Sequence, residues 1–292
     1  MKQNLIDIIN LEKSTRIALT KKYPILMPLV LESKRFINFL EYTLKPTFNF
    51  KKKTKSIWFH LTEHSSPLYR KYNKKELDEG KIENIKIAIK SINELIIPPG
   101  KVFSFWKFIG RPSSDKGFKN GLVLSDGKLK EDVGGGLCQL SNLIAYMFAC
   151  TECKFIERQH HSRDVFPDNG RVVPFASGAT VFFNLIDLKI KNTYSFPIKI
   201  NLRTTETQLR GSISAPTQLE YYIKLQEKQS DFIKSINTGI IYRCNKLYRV
   251  FYSKNTKEKI KEINLWTNTA RVMYEEKDIT HPITTFDSKY SK

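Results

Sequence analysis

The apolar positions of the chain change period more than once. Ile82, Ile85, Ile89, Ile92 and Ile96 recur at intervals of three and four, which puts them on one face of an α-helix. Pro98-Pro99-Gly100 is expected to end that helix. "KVFSFWKFIG" then carries β-type residues up to a glycine, and "GFKNGLVLSDGKLKEDV" predicts a hairpin about Asp126-Gly127. Helical spacing returns at Leu137, Leu140, Ile144, Met147 and Phe148. From Lys154 the pattern becomes short strands: "KFIER", "RVVPF", "ATVFFNLIDLKIKN", "FPIKINLRT" and "LRGSIS". "IIYRCNKLYRVFYSK" and "KIKEINLWT", joined through "NTKE", predict another hairpin. Upstream, residues 1–75 read as helices broken by prolines and lysines. There Leu29, Phe36, Phe39 and Leu40 form an apolar face beside Lys34 and Arg35, fit to pack on the protein or to lie on a membrane surface.

These periods predict an α+β fold in three parts. Residues 1–75 form an N-terminal helical region. Residues 76–215 form a core domain, with a central, mostly antiparallel sheet and the cysteine-bearing helix packed on it. Residues 216–292 form a basic, β-rich C-terminal extension beginning at Pro216, with a polar tail after Asp278.

Composition narrows the partners. Forty-nine Lys and Arg against 29 Asp and Glu give a formal charge of +20, which favours an anionic partner such as a wall polymer, a wall precursor or an acidic membrane surface. No RNA-module motif or zinc-finger spacing accompanies that charge, so nucleic acid is not expected. Four cysteines in 292 residues do not make a disulfide framework and fit a reducing compartment. "MKQNLIDIINLEKSTRIALT" lacks the pattern of a signal peptide, and "YPILMPLVL" is too short to cross a bilayer. The expected location is therefore the cytoplasm, or a peripheral position on a membrane.

Candidate chemistry concentrates in "VGGGLCQLSN". Cys138 falls in the first turn of a helix, where unpaired N–H groups and the helix dipole favour a thiolate. Gly134, Gly135 and Gly136 leave that turn without side chains, and amides around Gly135, Gly136 and Cys138 are placed to hold an oxyanion. Ser141, Asn142 and Ala145 continue a small, polar helix face. The alternative is a small core cysteine behind an ordinary glycine turn. A reactive thiol needs a base, and His160 and His161 lie in the charged, turn-rich "ERQHHSRDVFPDNGR". Asp187 either orients the histidine, in a Cys–His–Asp order, or caps a strand end or pairs with one of the many lysines. Cys150 and Cys153 with the two histidines would supply four zinc ligands, but their spacing matches no common finger. No metal and no cofactor are expected.

"PPGKVFSFWKFIGRP", "KGFKNGLVL", "GGGLCQLSNLI", "FIER", "HHSRDVFPDNGRVVPFASGATVFFN" and "IDLKIKN" together resemble the VanW family, in its order and approximate spacing, from about His64 to Ala215. The chain is most similar to the short VanW proteins of glycopeptide-resistance clusters. The resemblance implies a cell-wall role. Some larger, exported VanW-domain proteins are tied to peptidoglycan cross-linking of the L,D-transpeptidase type. Carried onto this chain, the implied nucleophile is Cys138 and the implied base is His161. Gln139, Arg158, Arg163, Asp168 and Arg171 become the implied contacts to a stem peptide. Many members have a His-x-His arrangement where this chain has Gln159 at the first position, which leaves His161 as the base.

Overall fold

The computed structural model describes residues 57–69, 75–125, 128–165, 167–168 and 172–287, with helical positions at 30, 32, 33, 36, 37 and 40. Phe36 and Leu40 of the upstream apolar face are exposed; Leu29, Phe39 and most of the expected N-terminal helical region lie outside the described residues. No described helix is long and apolar enough to cross a membrane.

The first strand, β1 (Phe59–Pro67), precedes helix α1 (Lys75–Ile92). Ile82, Ile85, Ile89 and Ile92 all point into the core, as their spacing predicts. Glu76 and Asp78 in the first turn and Lys90 in the last match the helix dipole. The helix ends at Ile92, well before the Pro-Pro-Gly. Asn93 still donates to Ile89, but Glu94 takes φ 62° and Leu95–Ile97 departs as β2. Ile96 is therefore a strand residue. The competing interaction is the sheet: β2 pairs with β9 (Ile198–Thr204), and Asn93 Oδ1 accepts the Leu202 amide at 2.8 Å.

"KVFSFWKFIG" also divides, into β3 (Val102–Ser104) and the short helix α2 (Phe105–Ile109). Ser104 caps α2, its hydroxyl accepting the Lys107 amide at 3.2 Å. The hairpin about Asp126-Gly127 is present as β4 (Asn120–Ser125) and β5 (Lys128–Val133); the turn itself lies outside the described residues. The cysteine-bearing helix, α3, runs Leu137–Ala149, with Leu137, Leu140, Ile144, Met147 and Phe148 buried. Of the strands expected after it, "KFIER" becomes β6 (Lys154–Glu157) and "LRGSIS" becomes β10 (Gln208–Ala215). The described part of "RVVPF", residues 172–175, is not a strand, and "ATVFFNLIDLKIKN" contains only β8 (Lys189–Lys191) and two isolated bridges. The backbone there is held by side chains from elsewhere rather than by a neighbouring strand.

The fold class is α+β, as expected. An antiparallel sheet in the order β1-β10-β9-β2 supports α3 on β1 and β10. Gly211 of β10 permits this approach: a Cβ there would lie 2.7 Å from Leu143 Cδ2 and Met147 Cε. A small sheet, β3-β8-β6, lies beside it. Pro216 falls where the chain passes from β10 to β11 (Tyr221–Ser235), which opens a second large sheet. That sheet contains the predicted hairpin, β12 (Ile241–Ser253) and β13 (Lys259–Val272), and its bulges curl it into a half-barrel.

The C-terminal sheet is fastened to the core. Its edge strand β7 (Arg163–Asp164) comes from the core segment and pairs in parallel with β13. Leu225 and Leu247 pack on Ala149 and Cys150 at the end of α3. Arg249, 8% exposed, reaches from β12 to the C-terminal end of α3. It donates to the carbonyls of Ala149 (2.9 Å), Phe148 (3.2 Å) and Cys153 (2.7 Å). A cation there satisfies helix-end carbonyls and opposes the negative end of the dipole. Replacing Arg249 with Met strands those carbonyls and is expected to cost about 2–4 kcal/mol in a denaturant titration; an unchanged midpoint would contradict this capping role.

Candidate functional site

The glycine loop is built for close packing. The Gly134 amide donates to Lys119 O at 3.1 Å and the Gly135 amide to Asp132 O at 3.3 Å. A Cβ on Gly135 would lie 2.2 Å from the carbonyl carbon of Gly121 in β4, so two backbones touch there with no room for a side chain. Gly136 takes φ +96°, and a Cβ on it would meet the buried Lys81 side chain at 2.3 Å. From α1, Asn84 bonds the Gly135 and Lys119 carbonyls and accepts the Lys119 amide. The bareness of the loop therefore faces other parts of the protein, and two of its three glycine amides already have acceptors.

The second face of α3 is covered. Residues 177–181 cross it as a strap. Asn142 Oδ1 accepts the Ala179 amide at 2.8 Å, and Ser141 Oγ donates to Ala179 O at 2.6 Å. Gly178 allows the contact, since a Cβ there would lie 2.1 Å from Asn142 Oδ1. On its other side the strap is held by Arg158, which donates from Nε to Gly178 O at 2.9 Å and from Nη2 to Ala176 O. The Thr180 amide donates to Gln159 O at 2.8 Å.

Cys138 lies beneath this strap. Its residue surface is half-buried, but Sγ is packed against Val181 O at 3.6 Å and Thr180 Oγ1 at 4.0 Å. The thiol donates to the Val181 carbonyl. Burial pushes its pKa above the ordinary thiol value. The helix dipole, expected to favour a thiolate, loses to desolvation: a charge under the strap would give up water for one carbonyl dipole pointing the wrong way.

The other expected site residues are distributed around this point. Gln139 donates to Ser66 Oγ at 2.9 Å and Pro67 O at 2.7 Å, tying α3 to β1. Arg158 stacks on Trp266, 3.5 Å from the ring centroid, and burial lowers its pKa to about 9. His160 is half-buried, with Nε2 3.1 Å from Thr269 O; burial lowers its pKa, which favours the neutral ring. His161 is half-buried beside it and has interactions of its own. Asp187 accepts the Ser104 hydroxyl at 2.5 Å and the amides of Trp106 (3.1 Å) and Leu188 (2.8 Å), so it caps α2. Burial raises its pKa. Arg163 is in β7, opposite Arg271. Asp168 forms an ion pair with Arg243 at 2.7 Å, beside a second from Arg243 to Asp164 at 3.3 Å. Arg171 lies outside the described residues.

Cys150 and Cys153 are buried at the far end of α3, where desolvation raises both thiols, Cys153 to about 11. Among the described residues no three His, Cys, Asp or Glu side chains converge as metal ligands. Sequence reasoning did not find Asn84, Thr180, Arg243 or Arg249. The arginines carry no local signal, because "IIYRCNKLYRVFYSK" mixes polar and apolar residues as a half-exposed strand would.

The motifs quoted above are thus physically coupled: "GGGLCQLSN" and "FASGAT" bind each other through Asn142, Ser141 and the strap. A family model for VanW like protein matches residues 80–214, which span the whole arrangement. The chain is 31% identical over 196 residues to vancomycin B-type resistance protein VanW of Enterococcus faecalis strain V583, covering 67% of this chain and 70% of that protein. It is 29% identical over 126 residues to the uncharacterized protein YoaR of Bacillus subtilis strain 168, covering 43% of this chain and 40% of that one. No solved structure matches. The chain belongs to the VanW family.

The thiol geometry has a direct readout. Alkylation requires the thiolate, so a raised pKa slows it at neutral pH. Cys138 is expected to react with iodoacetamide more slowly than free cysteine at pH 7.5, with a rate still climbing above the free-thiol midpoint of about 8.5. A plateau reached below pH 7 would contradict the protonated, covered thiol.

Proposed function

We propose that this protein acts at the cell wall in the manner of glycopeptide-resistance proteins, engaging a peptidoglycan stem peptide or its precursor. In the form described here it works by binding and not by covalent catalysis. The supporting observation is the Cys138 thiol, which serves as a hydrogen-bond donor to Val181 O beneath the strap. The polar residues of the motif block are likewise engaged: Asn142, Ser141 and Arg158 with the strap, Gln139 with β1, Asp187 with α2. The net charge of +20 suits the carboxylates and phosphates of wall precursors. A resistance role rests on the relative that carries that name.

Acyl transfer of the L,D-transpeptidase type is a second reading, favoured by two observations. Cys138 keeps partial exposure in the first turn of α3. The Gln159–Thr180 bridge brings the histidine segment next to the strap that covers the thiol. This chemistry requires the strap to lift. Cys138 Sγ would then attack a stem-peptide carbonyl, its proton passing to His161 and on to the leaving amine as the amide C–N bond breaks. An acceptor amine would attack the thioester and return the thiol.

Titration calorimetry and intact-mass analysis with a peptidoglycan tetrapeptide separate the two. Binding is expected to be equal in wild type and Cys138→Ala, with no mass adduct. An acyl adduct confined to wild type would replace the binding reading with the transferase; no binding and no adduct would reject both.

A further inference from the structure

The β12–β13 hairpin carries a surface that the fold does not use. Residues 255–264 are all exposed, including six consecutive residues of strand β13, Lys259 to Asn264. β13 is the outer strand of the sheet at this end: its partners Arg249, Val250 and Phe251 of β12 are buried, Lys261 lies over the Phe251 ring at 4.4 Å, and the outer edge and the turn stand open to solvent. Its side chains are unusual for an open edge. Ile260 and Ile263 are 57% and 48% exposed. Lys254, Lys257, Lys259 and Lys261 surround them, and Lys224 and Lys228 of β11 flank the same end of the sheet. Against these six lysines stand Glu220, Glu258 and Glu262, and Glu262 is already paired with Lys228 at 2.7 Å and Lys259 at 3.2 Å. Beside the turn, Tyr222 and Tyr252 stack across the strands with centroids 5.4 Å apart, both partly exposed, and Lys224 and Lys257 lie within 6 Å of the Tyr222 ring.

We propose that this exposed strand edge and its turn form a docking surface for an anionic lipid bilayer. Each class of side chain has a place in such a contact. The two isoleucines enter the boundary between headgroups and acyl chains, where their exposed surface leaves water. The lysines lie at the level of anionic headgroups, with their stems along the apolar surface and their ammonium groups outward. The tyrosine pair flanks the same surface, and aromatic rings with a polar tip are enriched at membrane interfaces. A soluble polyanion would explain the lysines but gives two exposed isoleucines no favourable contact, and so a bilayer fits the set better. The surface is separate from the Cys138 helix and does not depend on the reading given for it.

The test is co-sedimentation of the full chain with vesicles of phosphatidylcholine, with and without phosphatidylglycerol. Binding is expected only with phosphatidylglycerol and is weakened by salt. The variant Lys257→Glu/Lys259→Glu/Lys261→Glu should bind at least about 100-fold more weakly. Ile260→Ser/Ile263→Ser should bind about tenfold more weakly with charge unchanged. Both sets lie on exposed positions, and unchanged melting curves identify the folded variants; either set alone decides the matter should the other misfold. Wild-type indifference to phosphatidylglycerol, or lipid binding that survives these changes, would overturn the proposal. A loss confined to the lysine variant, matched by equal affinity for soluble polyphosphate, would also overturn it and mark a polyanion patch instead.

Discussion

The contact on which this structure depends is the one between the Asn142 side chain and the backbone of Ala179. It joins a helix to a stretch of chain 37 residues later that has no strand ladder of its own. Without a partner, the buried Ala179 amide would carry a desolvation penalty of about 1–3 kcal/mol. Asn142 accepts that amide, Ser141 supplies a donor for the same residue's carbonyl, and Gly178 lets the two backbones close. The strap so held determines the state of Cys138, because the carbonyl that receives the thiol proton belongs to Val181.

The helix beneath the strap is fixed at both ends by different means. At its start, the close contact of Gly135 with Gly121 and the Asn84 bonds clamp the incoming loop between α1 and β4. At its end, Arg249 crosses from the C-terminal sheet to take three carbonyls. The same sheet holds the strap from above: Asn268 accepts from Arg158 at 3.4 Å, and Asn245 donates to Phe175 O at 2.8 Å. The C-terminal extension is thus part of the surroundings of the cysteine, which gives a reason for its buried polar residues in a strand-rich sequence.

Legibility followed the range of the interactions. α3 and its buried face were readable because helical periodicity is local, and both hairpins were readable because their turns and alternation lie within a few residues. The end of α1 was not: Ile96 continues the helical spacing, and only pairing with Lys199 of β9 turns it into a strand residue. The three glycines stand out in the sequence, but a sequence cannot say whether a missing side chain makes room for a ligand or for another backbone. Here Gly121 and Lys81 occupy the space. For Asp187 the sequence suggests a histidine partner, a strand-end cap or a lysine pair; it caps a helix, because Ser104 and the Trp106 amide lie against it across 83 and 81 residues of chain. The strap residues from Ala179 onward suit a strand, and their actual partners include side chains far away in sequence.

Amide hydrogen exchange across 177–182 tests this account most directly. In the native protein the Ala179 amide should be protected to a degree comparable with the middle of α3, and Asn142→Ala should release it while leaving α3 protected. Exchange of the wild-type strap at the rate of an open loop would contradict the account, since Cys138 would then lie under no lasting cover.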